Sequence, residues 1–430
     1  MRYMRKRILY HLHTTPIPVD GGDRARVTGI LDYFKERRSS LAIDAFSSAT
    51  CLGWSVARRA HVPEYWRADI AASVLESSEH LFIHENKRDL AEYLYAQAAL
   101  RYYRHVRRVV TPPDTEVAVS RSYASFVRRL AAQQRYDYVW INFIEYARLG
   151  LTVLPTGTQR VIDIHDLASV AKQSKRDLPE CRGLTFDFDR NLAGEMRVLD
   201  RFDQIVVNST EELDAIARHI ARSKLHLIPH VVEPSGTPAS LPIYTSREFK
   251  YHALYVGSDQ SWNVKAINAF LAACLPGLVR AIPDFRVGIV GKVGRFVKVD
   301  HDLRSHVEVL GRVSSLAAHY LATRVAICPL REGAGTKLKL SEAIYYRLPI
   351  VTTSIGASGL ALTDGVHCFV RDSQEQFAAG IVHLLRDQDA ASRMSSELGA
   401  LYEREYSRRV IYQRLDALFG VSGAVNPSER

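Results

Sequence analysis

Short apolar runs rich in β-branched and aromatic residues alternate with longer segments of helical periodicity along almost the whole chain. This alternation predicts parallel β-sheets whose strands are joined by helical crossovers. The first half contains candidate strands at residues 8–13, 41–46, 136–142, 160–166, 204–209 and 225–230. The second half contains candidate strands at residues 252–258, 285–291, 307–313, 324–330, 349–355 and 367–372. Each half therefore carries enough strands for its own doubly wound, Rossmann-like sheet.

The chain has 430 residues, more than a single hydrophobic core usually serves, since cores stop growing at roughly 250–300 residues. The segment EPSGTPASLPIYTSRE (233–248) has the Pro, Ser, Thr and Gly content of a linker. We therefore expect an N-terminal Rossmann-like domain over 1–240 and a C-terminal Rossmann-like domain over 241–402. A closing amphipathic helix over 403–419 and a polar end complete the chain, as a segment spanning 403–430.

Residues 55–135 interrupt the alternation, because they contain helical patterns without a clear pair of strands. They include the basic and Tyr-rich run RYYRHVRRVV at 101–110. The simpler interpretation is a helical insertion, about 55–135, with a solvated basic face. The functional interpretation is a wall of an acceptor site or a surface that contacts lipid headgroups at a membrane.

Composition narrows the possible partners. Apolar residues make up 47% of the chain and charged residues 24%, which indicates a globular protein rather than a disordered one. The net charge of +10 favours anionic partners, but no nucleic-acid recognition module is present. The five scattered cysteines form no Cys-x-x-Cys motif, so neither a disulfide framework nor a zinc site is indicated.

The N-terminus predicts a strand rather than a signal peptide, and no apolar run has the length of a membrane helix.

Several residues at the ends of the first-half strands are candidates for chemistry. Gly21 and Gly22 in VDGGDRAR precede a helix, where backbone N–H groups attract anions, with Arg24 or Arg26 nearby. His165 closes the strand RVIDIHD, a position from which an imidazole can reach a ligand, although a structural His is also common there. Glu195 falls in a helical pattern and is interpreted as a solvated or capping residue.

The segment REGAGTKLKLSEA (331–343) is the richest in candidates. Gly333 and Gly335 allow the backbone to approach a ligand closely. Thr336 is placed to cap the following helix, and Lys337 and Lys339 lie near its positive end, as suits a pyrophosphate. Glu342 follows on the helix, where a carboxylate can accept from the two hydroxyls of a ribose. Taken alone, the segment is better explained by an exposed helix with ordinary surface charges.

Together these segments resemble a known family. The run ICPLREGAGTKLKLSEAIYYRLPIVTTSIGASGL (327–360) is similar to the donor-site segment of retaining GT-B glycosyltransferases of family 4, the "glycosyl transferases group 1" type. The Gly-Gly turn, the strand ending in His-Asp, FDQIVVNSTEE (202–212) and LYVGSDQSWNVKAINAFL (254–271) occur in the same order as in that family. The resemblance covers nearly the whole chain and implies a GT-B fold, α/β, with two doubly wound Rossmann-like domains facing a central cleft.

The resemblance also implies roles for individual residues. His165, Lys339 and Glu342 would be the catalytic residues, with His165 touching the transferred sugar. A larger set would bind the donor: Gly21, Gly22, Arg312, Val313, Gly335, Thr336, Lys337, Lys339 and Glu342. Many family members carry a second Glu eight residues before the ribose-binding one, where this chain has Ala334, and Glu332 stands two residues too early. Lys265 is the nearest match to a basic residue that the family places after the first C-terminal strand.

The function expected from the resemblance is transfer of a sugar from a UDP- or GDP-sugar to a glycan, lipid-linked or small-molecule acceptor. Retention of anomeric configuration and independence of a divalent metal or other cofactor are implied with it. Bacterial polysaccharide or glycoconjugate synthesis is the expected setting, in the cytoplasm, with possible contact to the inner face of the membrane through the basic, Tyr-rich surface. The alternatives are a sugar-nucleotide epimerase or hydrolase of the same fold and an inactive glycan- or nucleotide-binding scaffold. The sugar, the base, the acceptor, the linkage and the oligomeric state are not predicted.

Overall fold

The structure is a computed structural model, and its sheets and helices divide the chain into two compact units. It describes residues 5–13, 22–48, 79–82, 91, 94–95, 98, 101–102, 106–108, 110, 119–152, 157–174, 183–233, 240–333 and 335–421. The first unit comprises Met1–His230 and Tyr412–Arg430, and the second comprises Val231–Ile411. Both are built on parallel sheets, so the predicted α/β fold with two doubly wound sheets is confirmed.

The first unit contains a seven-stranded sheet with the order β3-β2-β1-β4-β5-β6-β7 among the described residues. Its strands are β1 (Lys6–His11), β2 (Leu41–Ser48), β3 (Glu79–Phe82), β4 (Tyr138–Asn142), β5 (Gln159–Asp163), β6 (Gln204–Val207) and β7 (Leu225–Leu227). Its helices are α1 (Gly22–Glu36), α2 (Arg121–Gln133), α3 (Ala147–Leu151), α4 (Ala168–Ser174), α5 (Phe188–Leu199) and α6 (Thr210–Ala217). The strand order reverses between β1 and β4, the point at which ligands bind in open sheets of this kind.

An aromatic cluster packs against one face of this sheet. Phe419 lies 5.8 Å from Trp140 and 5.7 Å from Phe34, measured between ring centroids. Tyr33 packs edge-on against Tyr412 at 5.1 Å. Because Tyr412 and Phe419 come from the end of the chain, the first unit completes its core with residues that follow the second unit in sequence.

The second unit contains a six-stranded sheet with the order β10-β9-β8-β11-β12-β13. Its strands are β8 (Tyr251–Val256), β9 (Val287–Val290), β10 (Val307–Gly311), β11 (Thr323–Cys328), β12 (Ile350–Thr352) and β13 (Phe369–Val370). Its helices are α7 (Ser261–Ala273), α8 (Leu275–Ala281), α9 (Ala317–Leu321), α10 (Leu338–Tyr345), α11 (Ser354–Ala357), α12 (Gln374–Arg386) and α13 (Gln388–Leu401). The strand order reverses between β8 and β11, and the predicted segment 331–343 follows β11 directly.

No single helix among the described residues has the length and apolar content of a membrane span. The bent pair α7 and α8 passes that test together, by length and composition. Ile267, Phe270 and Leu278 of this pair are buried in the hydrophobic core of the second unit.

Three sequence-based expectations differ from the structure. The region 55–135 is not wholly helical, because β3 pairs in parallel with β2 at the edge of the first sheet. The chain divides at 230/231 rather than at 240/241, since part of the predicted linker is built into the second unit, where Tyr244 is buried and donates to the Arg324 carbonyl at 2.9 Å. The closing helix, α14, spans Arg408–Phe419 and begins five residues later than predicted, after a π-helical turn over Tyr402–Tyr406.

Candidate functional site

His165 lies at the carboxyl end of the first sheet, two residues beyond β5. Its backbone adopts a left-handed conformation, with φ of 58°, which is uncommon for a residue with a side chain. The side chain of Asn208 donates to the His165 carbonyl from the end of β6. Phe143 at the end of β4 is also left-handed and stacks on the imidazole with 4.1 Å between ring centroids. Three neighbouring strand ends therefore hold this residue in place.

The His165 ring is only 4% exposed and is kept neutral by its surroundings. Burial lowers the pKa of His165 well below its usual value, and the positive charge of Arg26 lowers it further. Burial likewise lowers the pKa of His230 to about 3. The site therefore offers neutral imidazoles near physiological pH, which suits contact with a hydroxyl better than attraction of a phosphate.

The arginine that follows the Gly-Gly turn has a different role from the one predicted. Arg26 is 2% exposed, and its Nε donates to Asp163 at 2.7 Å while Nη1 donates to the Ile228 carbonyl at 2.7 Å. This guanidinium joins α1 to the ends of β5 and β7, and its Nη2 is buried without a hydrogen-bond partner among the described residues. Gly22 is the first residue of α1, and Gly21 lies outside the described residues.

Glu195 is a buried capping residue, but it caps a helix other than its own. Its carboxylate accepts from the backbone N–H of Ala168 at 2.7 Å and from both the N–H and the hydroxyl of Ser169 at 2.9 and 2.6 Å. These groups open α4, which begins three residues after His165. The sequence-based expectation of a solvated residue or a cap of its own helix is therefore wrong, because Glu195 is 0% exposed and caps α4 instead.

In the second unit, the segment after β11 forms a tight loop. Gly333 and Gly335 have φ of 113° and 77°, a region that disfavours any residue with a side chain. Lys337 crosses the loop and donates from Nζ to the Gly335 carbonyl at 2.6 Å and to the Ser358 hydroxyl at 3.3 Å. Its ammonium therefore holds the shape of the loop. Ala334, which stands where many members of the resembled family have a carboxylate, lies outside the described residues.

The residue predicted to cap the N-terminus of α10, Thr336, is not the N-cap residue. Lys337, not Thr336, occupies the N-cap position of α10, and no side chain caps this end. The Thr336 hydroxyl instead lies 3.5 Å from the Gly359 carbonyl. The backbone N–H groups at the start of α10 thus receive no side-chain cap, and they lie at the positive end of the helix dipole.

Lys339 and Glu342 lie on the first turns of α10. Lys339 Nζ donates to Asn263 Oδ1 at 2.7 Å and to the Tyr255 hydroxyl at 3.3 Å, and it sits 4.4 Å from the centre of the Tyr255 ring. Glu342 Oε2 accepts from the Tyr320 hydroxyl at 2.9 Å. Burial raises the pKa of Glu342 to about 7, whereas the Tyr320 hydrogen bond and the Lys339 charge lower it. Burial lowers the pKa of Lys339.

The arrangement leaves hydrogen-bonding capacity at both groups. An ammonium has three donors, and two of those of Lys339 are used by described residues. Glu342 Oε1 accepts no hydrogen bond from a described residue. One cationic donor and one anionic acceptor therefore remain close together at the carboxyl end of the sheet, a combination that suits a ligand carrying both phosphate and hydroxyl groups.

The remaining predicted residues of the second unit lie outside this loop. Arg312 and Val313 follow the end of β10, the arginine exposed and the valine packed partly against the core. Lys265 on α7 forms an ion pair with Glu332 at 2.8 Å, so the two residues that match the family pattern imperfectly are partners of each other. No group of three or more metal-binding side chains lies together among the described residues.

Sequence reasoning missed the residues that position the predicted ones. Asn142 at the end of β4, Asn263 at the start of α7 and Tyr320 on α9 are examples. Asn142 ends the predicted strand YDYVWIN and Asn263 follows a predicted strand, so a search for polar residues at strand ends would have found these two. Tyr320 carries no such signal, because it is an aromatic residue within a helical pattern.

Part of the second unit is similar in sequence to a known protein family. Residues 250–387, which include Lys337, Lys339 and Glu342, match the family described as "Glycosyl transferases group 1". A curated relative, an uncharacterized 44.6 kDa protein in the cps region of Klebsiella pneumoniae, is 21% identical over 228 residues. That match covers 50% of this chain and 55% of the relative, so the chain spans about half the length of the curated relative it matches.

Solved structures share the fold over 96–97% of the chain. HepE of Anabaena, in complex with UDP and glucose, has a TM-score of 0.59 at 14% identity, covering 96% of this chain and 99% of HepE. TarM of S. aureus has a TM-score of 0.61 at 10% identity, with 96% and 99% covered. Sucrose-phosphate synthase of Thermosynechococcus elongatus has a TM-score of 0.61 at 14% identity, with 97% and 98% covered. The chain thus has the GT-B fold, and its residues 250–387 are similar to the family described as "Glycosyl transferases group 1".

Proposed function

We propose that this protein is a glycosyltransferase that moves a sugar from a nucleotide-sugar donor to a glycan, lipid-linked or small-molecule acceptor. The observation that carries the proposal is the presence of Lys339 and Glu342 together on α10, next to a loop whose glycines have positive φ. Both residues lie within the segment that matches the glycosyltransferase family. HepE, which shares the fold, was solved with UDP and with UDP-glucose. A UDP-sugar is therefore the first donor to test, followed by GDP-sugars.

In the proposed reaction the nucleoside diphosphate leaves as the bond to the anomeric carbon breaks. The ammonium of Lys339 and the uncapped N–H groups of α10 would stabilise the negative charge that develops on the diphosphate. Glu342 Oε1 would accept from the ribose, and His165 would contact the transferred sugar. Retention at the anomeric carbon and independence of a divalent metal belong to the proposal and are supported by the family resemblance alone.

The biological setting is proposed on two grounds. The curated relative comes from a cps region of Klebsiella pneumoniae, and the family resemblance favours bacterial polysaccharide or glycoconjugate synthesis. We place the protein in the cytoplasm, with contact to the inner membrane face. The support for this contact is an exposed face formed by helical residues at spacings of three and four, followed by exposed Val106, Arg107 and Arg108. Its helical members are Ala91, Leu94, Tyr95, Ala98, Arg101 and Tyr102.

Membrane contact is tested by co-sedimentation with vesicles. Leu94 and Tyr95 are 55% and 77% exposed, so both apolar side chains are available for insertion beside the arginines. We expect binding to phosphatidylglycerol vesicles, little binding to phosphatidylcholine vesicles, and loss of binding in a Leu94→Ser, Tyr95→Ser variant. Ile243→Ser removes an equally exposed apolar side chain from the second unit and should bind as the parent does. Equal binding by both variants would exclude this face as the contact.

Donor binding is tested by a thermal-shift screen against UDP- and GDP-sugars. A ligand at 100 times its Kd stabilises the folded state by about 2.7 kcal/mol, which corresponds to roughly 5–10 °C for a unit of this size. Absence of any shift across the screen would refute the proposed donor site. Incubation of a labelled donor without acceptor then distinguishes transfer from epimerisation, because an epimerase converts its donor unaided.

The catalytic role of Lys339 is tested by substitution. Removing a hydrogen-bond donor that faces developing negative charge lowers turnover by a factor of about 10²–10³. Lys339→Ala should therefore lower the transfer rate by that factor. Its far-ultraviolet circular dichroism spectrum should match that of the parent. Lys250→Ala removes an exposed lysine of the same unit, half of whose side chain is accessible, and should retain the parent rate. A parent-like rate in Lys339→Ala would rule out the assignment.

A further inference from the structure

Asn142 at the end of β4 bonds directly to the imidazole of His165. Its Oδ1 lies 3.2 Å from His165 Nε2, and both side chains are buried, Asn142 completely. The contact is the one side-chain hydrogen bond to the His165 ring among the described residues. The protonation of the two ring nitrogens therefore depends on which group of the Asn142 amide faces the ring.

The orientation of the Asn142 amide is fixed from two sides. Asn142 Nδ2 lies 2.5 Å from the His11 carbonyl, which accepts hydrogen bonds and cannot donate. The indole Nε1 of Trp140, which donates and cannot accept, lies 3.4 Å from Asn142 Oδ1. A flipped amide would place a carbonyl against a carbonyl and N–H groups against an indole N–H. Both neighbours thus require the oxygen to face His165.

An oxygen facing Nε2 has a direct consequence for the ring. A neutral imidazole carries one N–H and one lone pair, and a hydrogen bond to Oδ1 requires the proton on Nε2. Nδ1 then holds the lone pair, and it accepts no hydrogen bond from a described residue. Burial and the positive charge of Arg26 keep the pKa of the ring low, so a second proton is disfavoured.

We propose that Asn142 is a positioning residue that holds His165 as the Nε2–H tautomer, so that Nδ1 accepts a hydrogen bond from a hydroxyl of the transferred sugar. The inference rests on the proposed function for the identity of the ligand but not for the tautomer itself. A lone pair repels phosphate oxygens, so the group that faces Nδ1 is a hydrogen-bond donor. Nucleotide sugars that lack the corresponding hydroxyl should therefore bind more weakly, because they cannot donate to Nδ1.

The tautomer is measured by nuclear magnetic resonance of the full chain labelled with ¹⁵N-histidine, without any ligand. Loss of one signal set in His165→Gln assigns the ring. We expect a protonated Nε2 and a bare Nδ1 in the parent protein at neutral pH. A proton on Nδ1 in the parent would overturn the proposal, whatever any variant shows.

Asn142→Asp tests the role of the amide. An aspartate keeps an acceptor beside Nε2, but its negative charge favours the imidazolium, so Nδ1 should become protonated. Asn191→Asp places a carboxylate at another buried asparagine of the same unit, which bonds to the Asp187 carbonyl at 2.8 Å, and should leave the His165 signals unchanged. A parent-like Nδ1 in Asn142→Asp would refute control of the ring by Asn142. If this variant does not fold, the spectrum of the parent protein still tests the assigned tautomer.

Calorimetry with UDP-glucose and UDP tests the ligand contact. Loss of one hydrogen bond corresponds to about 2- to 12-fold in affinity, so Asn142→Asp should bind UDP-glucose that much more weakly and UDP as the parent does. Equal weakening of both ligands would overturn the sugar contact. If the parent bound neither ligand while the spectra were as expected, the proposed donor would be wrong and the tautomer assignment would stand.

Discussion

Glu342 and Lys339 lie three residues apart on α10, and burial shifts both of their pKa values toward the neutral form. The carboxyl reaches a pKa of about 7, and that of the ammonium is lowered. Neither shift could be predicted from the spacing of KLKLSE, because the first cause of both is burial, which depends on residues that are distant in sequence. The sequence did predict the residue types and their place after a strand, since these depend on the local pattern alone.

The raised pKa of Glu342 predicts a pH-dependent affinity for the donor. Only the ionised carboxylate accepts from both hydroxyls of a ribose, and the ionised fraction increases as pH rises through about 7. We therefore expect the affinity for a nucleotide sugar to be weaker at pH 6 than at pH 8 by calorimetry. Glu342→Gln should bind about 10- to 100-fold more weakly, as for a lost hydrogen bond to a charged group, with little dependence on pH.

Glu308→Gln is the matched control, because Glu308 is exposed in the same unit and pairs with Lys250 at the surface. It should keep both the affinity and the pH dependence of the parent. The same affinity at pH 6 and pH 8 in the parent would contradict a ribose contact by Glu342.

At the scale of elements, the predicted strands all occur, with ends that differ by at most three residues, because burial of apolar runs determines where strands form. β3 was missed, since EHLF is short, begins with polar residues and lies at a sheet edge. The start of α14 was misplaced because Ser407 interrupts the helix with an extended conformation, and no Pro or Gly marks the break. Tertiary contacts set these boundaries, and the local sequence does not report them.

The capping of α4 by Glu195 predicts a large loss of stability on substitution. Glu195→Ala leaves two backbone N–H groups and one hydroxyl buried without a partner, at a cost of about 3 kcal/mol or more in the free energy of unfolding. Urea denaturation measures the change. Asp189→Ala removes an exposed carboxylate from the same helix, α5, and should change the free energy by less than about 1 kcal/mol. Equal losses in the two variants would show that the cap contributes little.

At the scale of the whole molecule, the two sheets and their order along the chain follow from the alternation of strands and helices. The division of the chain was less predictable. Composition placed the boundary within a Pro- and Ser-rich run, but Arg247 of that run donates from Nη2 to the Tyr346 carbonyl at 2.8 Å and fixes it to the second unit. The last helix was expected as a separate closing segment, and its membership in the first unit depends on aromatic contacts across several hundred residues.

Asp416 on α14 anchors this last helix and provides a test of its contribution. It accepts from the Tyr33 hydroxyl at 3.0 Å and from Arg37 Nε and Nη2 at 2.9 and 3.0 Å. Asp416→Ala should lower the free energy of unfolding by about 3 kcal/mol, because a largely buried guanidinium loses its partner. Arg37 is 14% exposed at its side chain, so water replaces little of the lost contact.

Differential scanning calorimetry measures this loss as a lower midpoint of unfolding. Glu308→Ala breaks an exposed ion pair of similar length and should change the free energy by less than about 1 kcal/mol. A parent-like midpoint for Asp416→Ala would mean that α14 is held by its aromatic residues alone.

The return of the chain to its first unit also orders events during synthesis on the ribosome. Residues up to 230 emerge first, but Phe419 and Tyr412, which cover Tyr33, Phe34 and Trp140, follow only after the roughly 180 residues of the second unit. At about 5–20 residues per second, the nascent first unit waits roughly 10–40 s with an aromatic surface uncovered. During that interval the unfinished chain presents a binding surface for chaperones, which the finished protein conceals.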